Sequence, residues 1–254
     1  MAKTFKQTIR YNIRRLLCFK IRIILKSHYV VEERGRECLK EPFAGAMLML
    51  PSHRAIVDNI LLFSTLGKYP MRAISFAPYF KIPIVRGLLR LFDAVPVPDV
   101  RDMKRNASFV MQLPNIVNQS LANGDVMLLN PSGHITTDGS ETIGNRQLAY
   151  DACKNLPANA SVIGIRITGL WGSQWSRYNR DSTPSIVRLL AKAFLQLITL
   201  VLFFKKKRHV SIEYRDITAD ALEWSKLGRH EFNRKLEGFY QAAWPNGVET
   251  PTVL

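Results

Sequence analysis

A chain of 254 residues is long enough for one large domain with its own core, and a hydrophobic content of 47% excludes a wholly disordered chain. Its 36 Lys and Arg outweigh 20 Asp and Glu, and the resulting net charge of +16 implies an anionic partner such as nucleic acid, an anionic membrane or phosphorylated substrates. Three widely spaced cysteines, Cys18, Cys38 and Cys153, make neither a disulfide framework nor a zinc pattern and suit a reducing compartment.

In chain order, the first 26 residues carry eight Lys and Arg, no acid and no small-residue cleavage site, so no cleavable signal peptide is expected. At 100° per residue, Phe5, Ile9, Ile13, Leu16, Leu17 and Ile24 share one side, while Lys6, Arg10, Arg14, Arg22 and Lys26 fall mostly on the other. Residues 1–29 therefore read as a basic amphipathic helix. It suits a membrane interface, or it covers the domain's core with a solvated basic face.

The domain proper, 30–254, opens with a strand in HYVVEERGREC that turns at Gly35, and AGAMLMLP (44–51) suits a buried strand. Ser52 is placed to cap a helix over 55–66. MRAISFAP is a further strand, followed by the Pro- and Gly-punctuated KIPIVRGLLRLFDAVPVPD. Helices are expected over 104–122, with a kink at Pro114, over 149–155 and over 230–243. DVMLLNPSG, SVIGIRITG and RHVSIEYRDI read as strands. This alternation predicts an α/β fold, a mixed sheet flanked by helices. Ile186 to Phe204 is mostly apolar, but Arg188 and Lys192 interrupt it; its uncharged part is too short for a bilayer, which favours a buried or interfacial helix. In the interfacial case Lys205, Lys206, Lys207 and Arg208 sit at headgroup level.

One stretch carries chemistry: LPSHRAIVDNILLF, residues 50–63. Five residues of ideal helix turn about 140° beyond a full circle, so His53 and Asp58 diverge if both are helical. They meet only if His53 stands in the turn before the helix and Asp58 in its first turn. A carboxylate on one ring nitrogen fixes the tautomer and raises the basicity of the other, which suits deprotonation of a substrate hydroxyl. Ser132 and Ser173 lack a G-x-S-x-G elbow, and Gly133, Gly139 and Gly144 match no nucleotide-binding loop. No nucleic-acid recognition motif accompanies the positive charge.

PSHRAIVD resembles the N-H-x-x-x-x-D block of the PlsC-type glycerolipid acyltransferases, the lysophospholipid acyltransferase family. KIPIVRGLLRLFDAVPVPD is similar to that family's second block. LLNPSGHITTDG stands where its third block has F-P-E-G-T-R-S, and SVIGIRITGLWGSQWSR resembles the fourth. Leu170-Trp171-Gly172-Ser173 is similar to the acyltransferase half of the 2-acylglycerophosphoethanolamine acyltransferase/acyl-ACP synthetase proteins.

The resemblance implies a glycerol-3-phosphate acyltransferase-like fold in which His53, oriented by Asp58, activates the free hydroxyl of a lysophospholipid. The donor it implies is an acyl-CoA or an acyl carrier protein thioester, and it calls for no cofactor and no metal. It places acceptor or phosphate contacts at Ser132, Gly133, His134 and Thr136, with Arg86, Arg101 and Arg105 either substitute cations or solvated surface charges, and Trp171, Gly172 and Trp175 either an acyl pocket, an interface anchor or core packing. An insoluble acyl chain implies work at an anionic membrane surface, on the cytoplasmic face of the inner membrane, with no nucleic-acid partner. Three positions depart from the pattern: Ser132 replaces the third-block glutamate, His134 its arginine, and Pro98 the arginine that often ends the second block. They lean the acceptor away from lysophosphatidate toward a lysophosphatidylethanolamine-like lipid. They also keep open a catalytically inactive lipid-binding protein on the same scaffold.

Overall fold

The structure, a computed structural model, describes residues 5–41, 44–98, 107–185 and 207–253. The expected Ile186–Phe204 helix, with Lys205 and Lys206, and the candidate residues Arg101 and Arg105 lie outside them.

Helix α1 (Phe5–His28) leads into strand β1 (Tyr29–Arg34), which ends at Gly35 in the left-handed region, φ 70°. There follow β2 (Ala46–Pro51), α2 (Asp58–Thr65), β3 (Met71–Phe76), α3 (Pro83–Leu91), β4 (Val95–Val97), α4 (Ala107–Ala122, with Pro114 inside it) and β5 (Val126–Leu128). The chain then forms α5 (Leu148–Lys154), β6 (Ala160–Thr168), β7 (Arg208–Asp216), α6 (Thr218–Lys226) and α7 (Arg229–Gln241). The seven strands make one sheet in the order β1-β7-β6-β2-β5-β3-β4, parallel throughout except for the antiparallel β6–β7 pair. This is the expected mixed sheet with helices on both faces.

β2 sits near the middle, between β6 and β5, and all six of its residues are buried. A strand covered on both faces needs apolar side chains at odd and even positions alike, which is why AMLMLP shows no alternation. Met47 and Met49 pack with Leu61, Leu62, Ile163, Ile165 and Ile212 on one face. Ala46, Leu48 and Leu50 join Val117, Leu121, Val162, Phe232 and Leu236 on the other. Each fully buried large side chain contributes roughly 1.5–3 kcal/mol.

Three expectations are corrected. Ser52 does not cap a helix: its hydroxyl accepts the Ile167 N–H at 3.0 Å and staples β2 to β6, and α2 starts at Asp58 rather than Ala55. Arg208 is not at a headgroup surface. It is buried and donates to the carbonyls of Gly169 and Thr252, at 2.9 and 2.6 Å. Nor does α1 turn its whole basic side to solvent: Arg15 and Arg22 are exposed, but Arg10 and Arg14 turn inward. Arg14 and Cys18 are its buried residues, Arg10 is half-buried, and Arg10 and Arg14 both form ion pairs with Asp93. Cys18 fits because α1 passes so close to Gly67 that a Cβ there would lie 2.6 Å from the Cys18 Cβ. The apolar side, Ile9, Ile13, Leu16 and Ile24, faces outward.

Asp93 itself is unusual. It follows the last turn of α3 with φ 49°, the left-handed position where Gly or Asn ordinarily ends a helix. A β-carbon there costs roughly 1–2 kcal/mol. Among the described residues no helix is long and apolar enough to cross a membrane.

Candidate active site

The carboxyl ends of β2, β5 and β6 lie side by side, the place where an open α/β sheet leaves a crevice. The chain leaving β2 is fastened on every side. Ser52 N–H donates to the Ile165 carbonyl at 2.9 Å, Ala55 bridges Ser176, and Ile56 N–H donates to the Trp175 carbonyl at 3.0 Å. The turn from Ser52 to Val57 is thus held against the segment that follows β6.

His53 stands in that turn, and Asp58 opens α2. The His53 Nδ1 to Asp58 Oδ2 distance is 3.1 Å, so the pair meets in the one way its spacing permits. The same oxygen accepts the N–H groups of Arg54 at 2.6 Å and Ala55 at 2.9 Å. Asp58 therefore anchors the turn while orienting the imidazole. A carboxylate at this oxygen accepts, so Nδ1 is the donor of the pair, and in the neutral imidazole that leaves the lone pair on Nε2. The histidine's own backbone is also engaged: its N–H donates to Glu141 Oε2 at 2.8 Å, and its carbonyl accepts the Thr136 N–H at 3.0 Å. Asp58 is fully buried, whereas the His53 side chain is 17% exposed. The arrangement can take a proton from a hydroxyl brought to Nε2.

The other candidates fall into distinct places. Ser132 is buried, and its hydroxyl donates to the His134 carbonyl at 2.9 Å. Gly133 and His134 are exposed, with His134 Nδ1 2.8 Å from the Ser132 carbonyl. Thr136 is buried, and its hydroxyl donates to Asp138 at 3.1 Å. Trp175 belongs to the core beside Tyr29 and Met49, and Trp171 stacks edge-on with Tyr178. A Cβ on Gly139, whose φ is +85°, would meet Trp171 Nε1 at 2.8 Å, so this glycine lets the loop after β5 touch the one after β6. Gly172, also in the left-handed region, lies against the Thr252 backbone. Arg86 stands exposed on α3; among the described residues no hydrogen bond or ion pair joins it to the His53–Asp58 turn. Nor is any group of three or more His, Cys, Asp or Glu there placed to hold a metal ion.

Sequence reasoning missed three charged residues behind the turn. Arg54 is fully buried, donates to the Gly139 carbonyl, lies 3.6 Å from Glu249 and stacks over Trp244 at 4.8 Å. Glu141 and Glu249 are also buried. Nothing local marks them, since charged residues are seldom fully buried and their partners are distant in sequence. Glu141 lies nine positions past Ser132, yet its carboxylate reaches both His53 and the neighbourhood of that serine.

Two buried carboxylates here share one guanidinium. Burial pushes the Glu249 carboxyl up to about 7, with Arg54 pulling it back and Asp58 pushing it further. Burial raises Glu141 as well, against the pull of Arg54 and the His53 N–H. Between about pH 4.5, the ordinary value, and about 7, folded Glu249 holds a proton that the unfolded chain has lost. Stability accordingly falls as pH rises through that window. Melting temperatures measured across it are expected to decline, and Glu249→Gln to make the decline shallower; an unchanged slope would refute this assignment.

No family model and no curated protein matches the chain. Among solved structures it is similar to the crystal structure of the 1-acyl-sn-glycerophosphate (LPA) acyltransferase PlsC from Thermotoga maritima, at 16% identity and a TM-score of 0.56. The match covers 95% of this chain and 82% of that one. The two proteins share a fold.

Proposed function

We propose that the protein is an O-acyltransferase that moves a fatty acyl group from acyl-CoA or an acyl carrier protein thioester to the free hydroxyl of a lysophospholipid. One observation carries the reading: a buried carboxylate fixes the imidazole of His53 through Nδ1 and leaves Nε2 as a base on a partly exposed side chain. The shared fold with an LPA acyltransferase and the order of the four sequence blocks support it.

In this mechanism the acceptor hydroxyl gives its proton to His53 Nε2 as its oxygen bonds to the thioester carbonyl carbon. The tetrahedral oxyanion is met by backbone N–H groups near the pair or in the Gly133 turn. Its collapse breaks the C–S bond, and the imidazolium returns the proton to the leaving sulfur. An ester and a free thiol result, with no acyl-enzyme. Of the described acceptor candidates, Arg86, Gly133 and His134 are open to a ligand, whereas Ser132 and Thr136 shape the loop from within. The exposed apolar side of α1 and the net charge of +16 support work at an anionic bilayer, on the cytoplasmic face of the inner membrane.

The purified protein, given one acyl thioester and a panel of lysophospholipids, is expected to release thiol with some acceptors and not others. A lysophosphatidylethanolamine-like acceptor is favoured, because Ser132 and Pro98 bring no charge where the related blocks carry one. Those same replacements favour the second reading, a catalytically silent lipid binder. That reading wins if the lipids bind and no thiol appears.

A further inference from the structure

α1 shows the solvent an apolar stripe of Ile9, Ile13, Leu16, Phe19, Ile23 and Ile24, with Phe19 61% exposed. At 100° per residue these six span an arc of about 140°. Arg15, Arg22 and Lys26 are exposed along one edge of it, Lys20 lies within it, and α1 contains no acid. α3 has a ridge of the same kind: Ile84, 76% exposed, and Leu88 one turn later, flanked by exposed Arg86 and Arg90.

The two helices are tied at one point. Arg10 and Arg14 both donate to the Leu91 carbonyl at the end of α3, Arg10 also to the Arg90 carbonyl, and both guanidinium groups close on Asp93. With Arg10 and Arg14 drawn inward, α1 is rolled so that its apolar stripe points away from the body. The left-handed backbone at Asp93 favours glycine; an aspartate there makes sense for the carboxylate it supplies to the two arginines.

We propose that α1 and α3 form one docking surface for an anionic lipid leaflet, and that Asp93 sets the roll of α1 that exposes it. Exposed apolar ridges bordered by cations, with no acid in α1, complement acyl chains beneath anionic headgroups. A second copy of the chain is a poor occupant, because it would bring the same positive border to face this one. The inference rests on the bilayer reading above, but it concerns binding alone, so absence of acyl transfer leaves it standing.

The test is flotation of the full-length protein with phosphatidylcholine vesicles, with and without phosphatidylglycerol. The wild type is expected to float with the anionic vesicles. Leu16→Asp and Ile84→Asp should each lower partitioning by about tenfold or more, since each removes an apolar anchor and adds a negative charge. Asp93→Gly should leave the fold standing, because glycine suits that backbone and Arg14 keeps the Leu91 carbonyl, and should weaken vesicle binding several-fold. Thiol release with a soluble short-chain acceptor reports separately whether the catalytic turn is intact. Unchanged flotation of both apolar variants overturns the surface, as does loss of flotation paired with a dimer in solution. Unchanged flotation of Asp93→Gly overturns the clasp.

Discussion

His53→Ala is expected to abolish acyl transfer while leaving the fold intact. Among the described residues the ring has one hydrogen-bond partner, Asp58 at Nδ1, and the backbone bonds to Glu141 and Thr136 survive any side-chain change. What disappears is the proton acceptor at Nε2. General-base assistance is typically worth about 10²–10⁴ in rate, so kcat should fall by that factor with KM for the thioester little altered. The melting temperature should move little, because a side chain 17% exposed with one hydrogen bond holds little stability. Steady-state thiol release beside a thermal melt checks both halves. Turnover within a few-fold of wild type would remove His53 from the chemistry.

Asp58→Ala is expected to damage stability and activity together. One buried carboxylate oxygen receives three donors: His53 Nδ1, Arg54 N–H and Ala55 N–H. Alanine leaves the two backbone donors unpaired in the core, at about 1–3 kcal/mol each, and frees the imidazole to rotate. That loss is a large part of a typical total stability of roughly 5–15 kcal/mol. Asp58→Asn separates the two roles. Its amide oxygen still accepts from the turn, but its NH2 must occupy the place of Oδ1, which is buried without a hydrogen-bond partner. A smaller stability loss is expected, with kcat still down roughly 10²–10⁴-fold because the charge opposite the imidazolium is gone. Full activity in Asp58→Asn would show that this carboxylate only shapes the turn.

The central strand and the meeting of His53 with Asp58 were legible because their causes are local. An unbroken apolar hexamer means burial on both faces, and the five-residue spacing of His53 and Asp58 permits only one meeting geometry, which the structure adopts. The strands β1, β3, β5, β6 and β7 were likewise readable from short apolar or alternating runs. Their order in the sheet, and the reversal between β6 and β7, depend on pairings between residues far apart in the chain. α6 was overlooked because TADALEWSK has too few apolar positions to display a period.

The roll of α1 shows the same limit. Helical periodicity defines two faces but not which one meets the protein, and the decisive partner, Asp93, is 79 residues from Arg14. Two arginines with no acid in their own segment are paired outside it. Ser52 and Arg208 were misplaced for the same reason, their partners being Ile167 and the backbone of Gly169 and Thr252. Glu141 illustrates it at the site itself. Ser132 brings no carboxylate to the loop after β5, and only the fold brings one from further along the chain to the His53 backbone.

The most direct measurement is the balance between thiol released and diacyl lipid formed on anionic vesicles that carry a lysophospholipid and an isotopically labelled acyl thioester. One labelled diacyl molecule is expected for each thiol, with no label on the protein at any time, and neither product with His53→Ala. Thiol release without labelled lipid, or label held covalently on the chain, would contradict direct transfer by the His53–Asp58 pair.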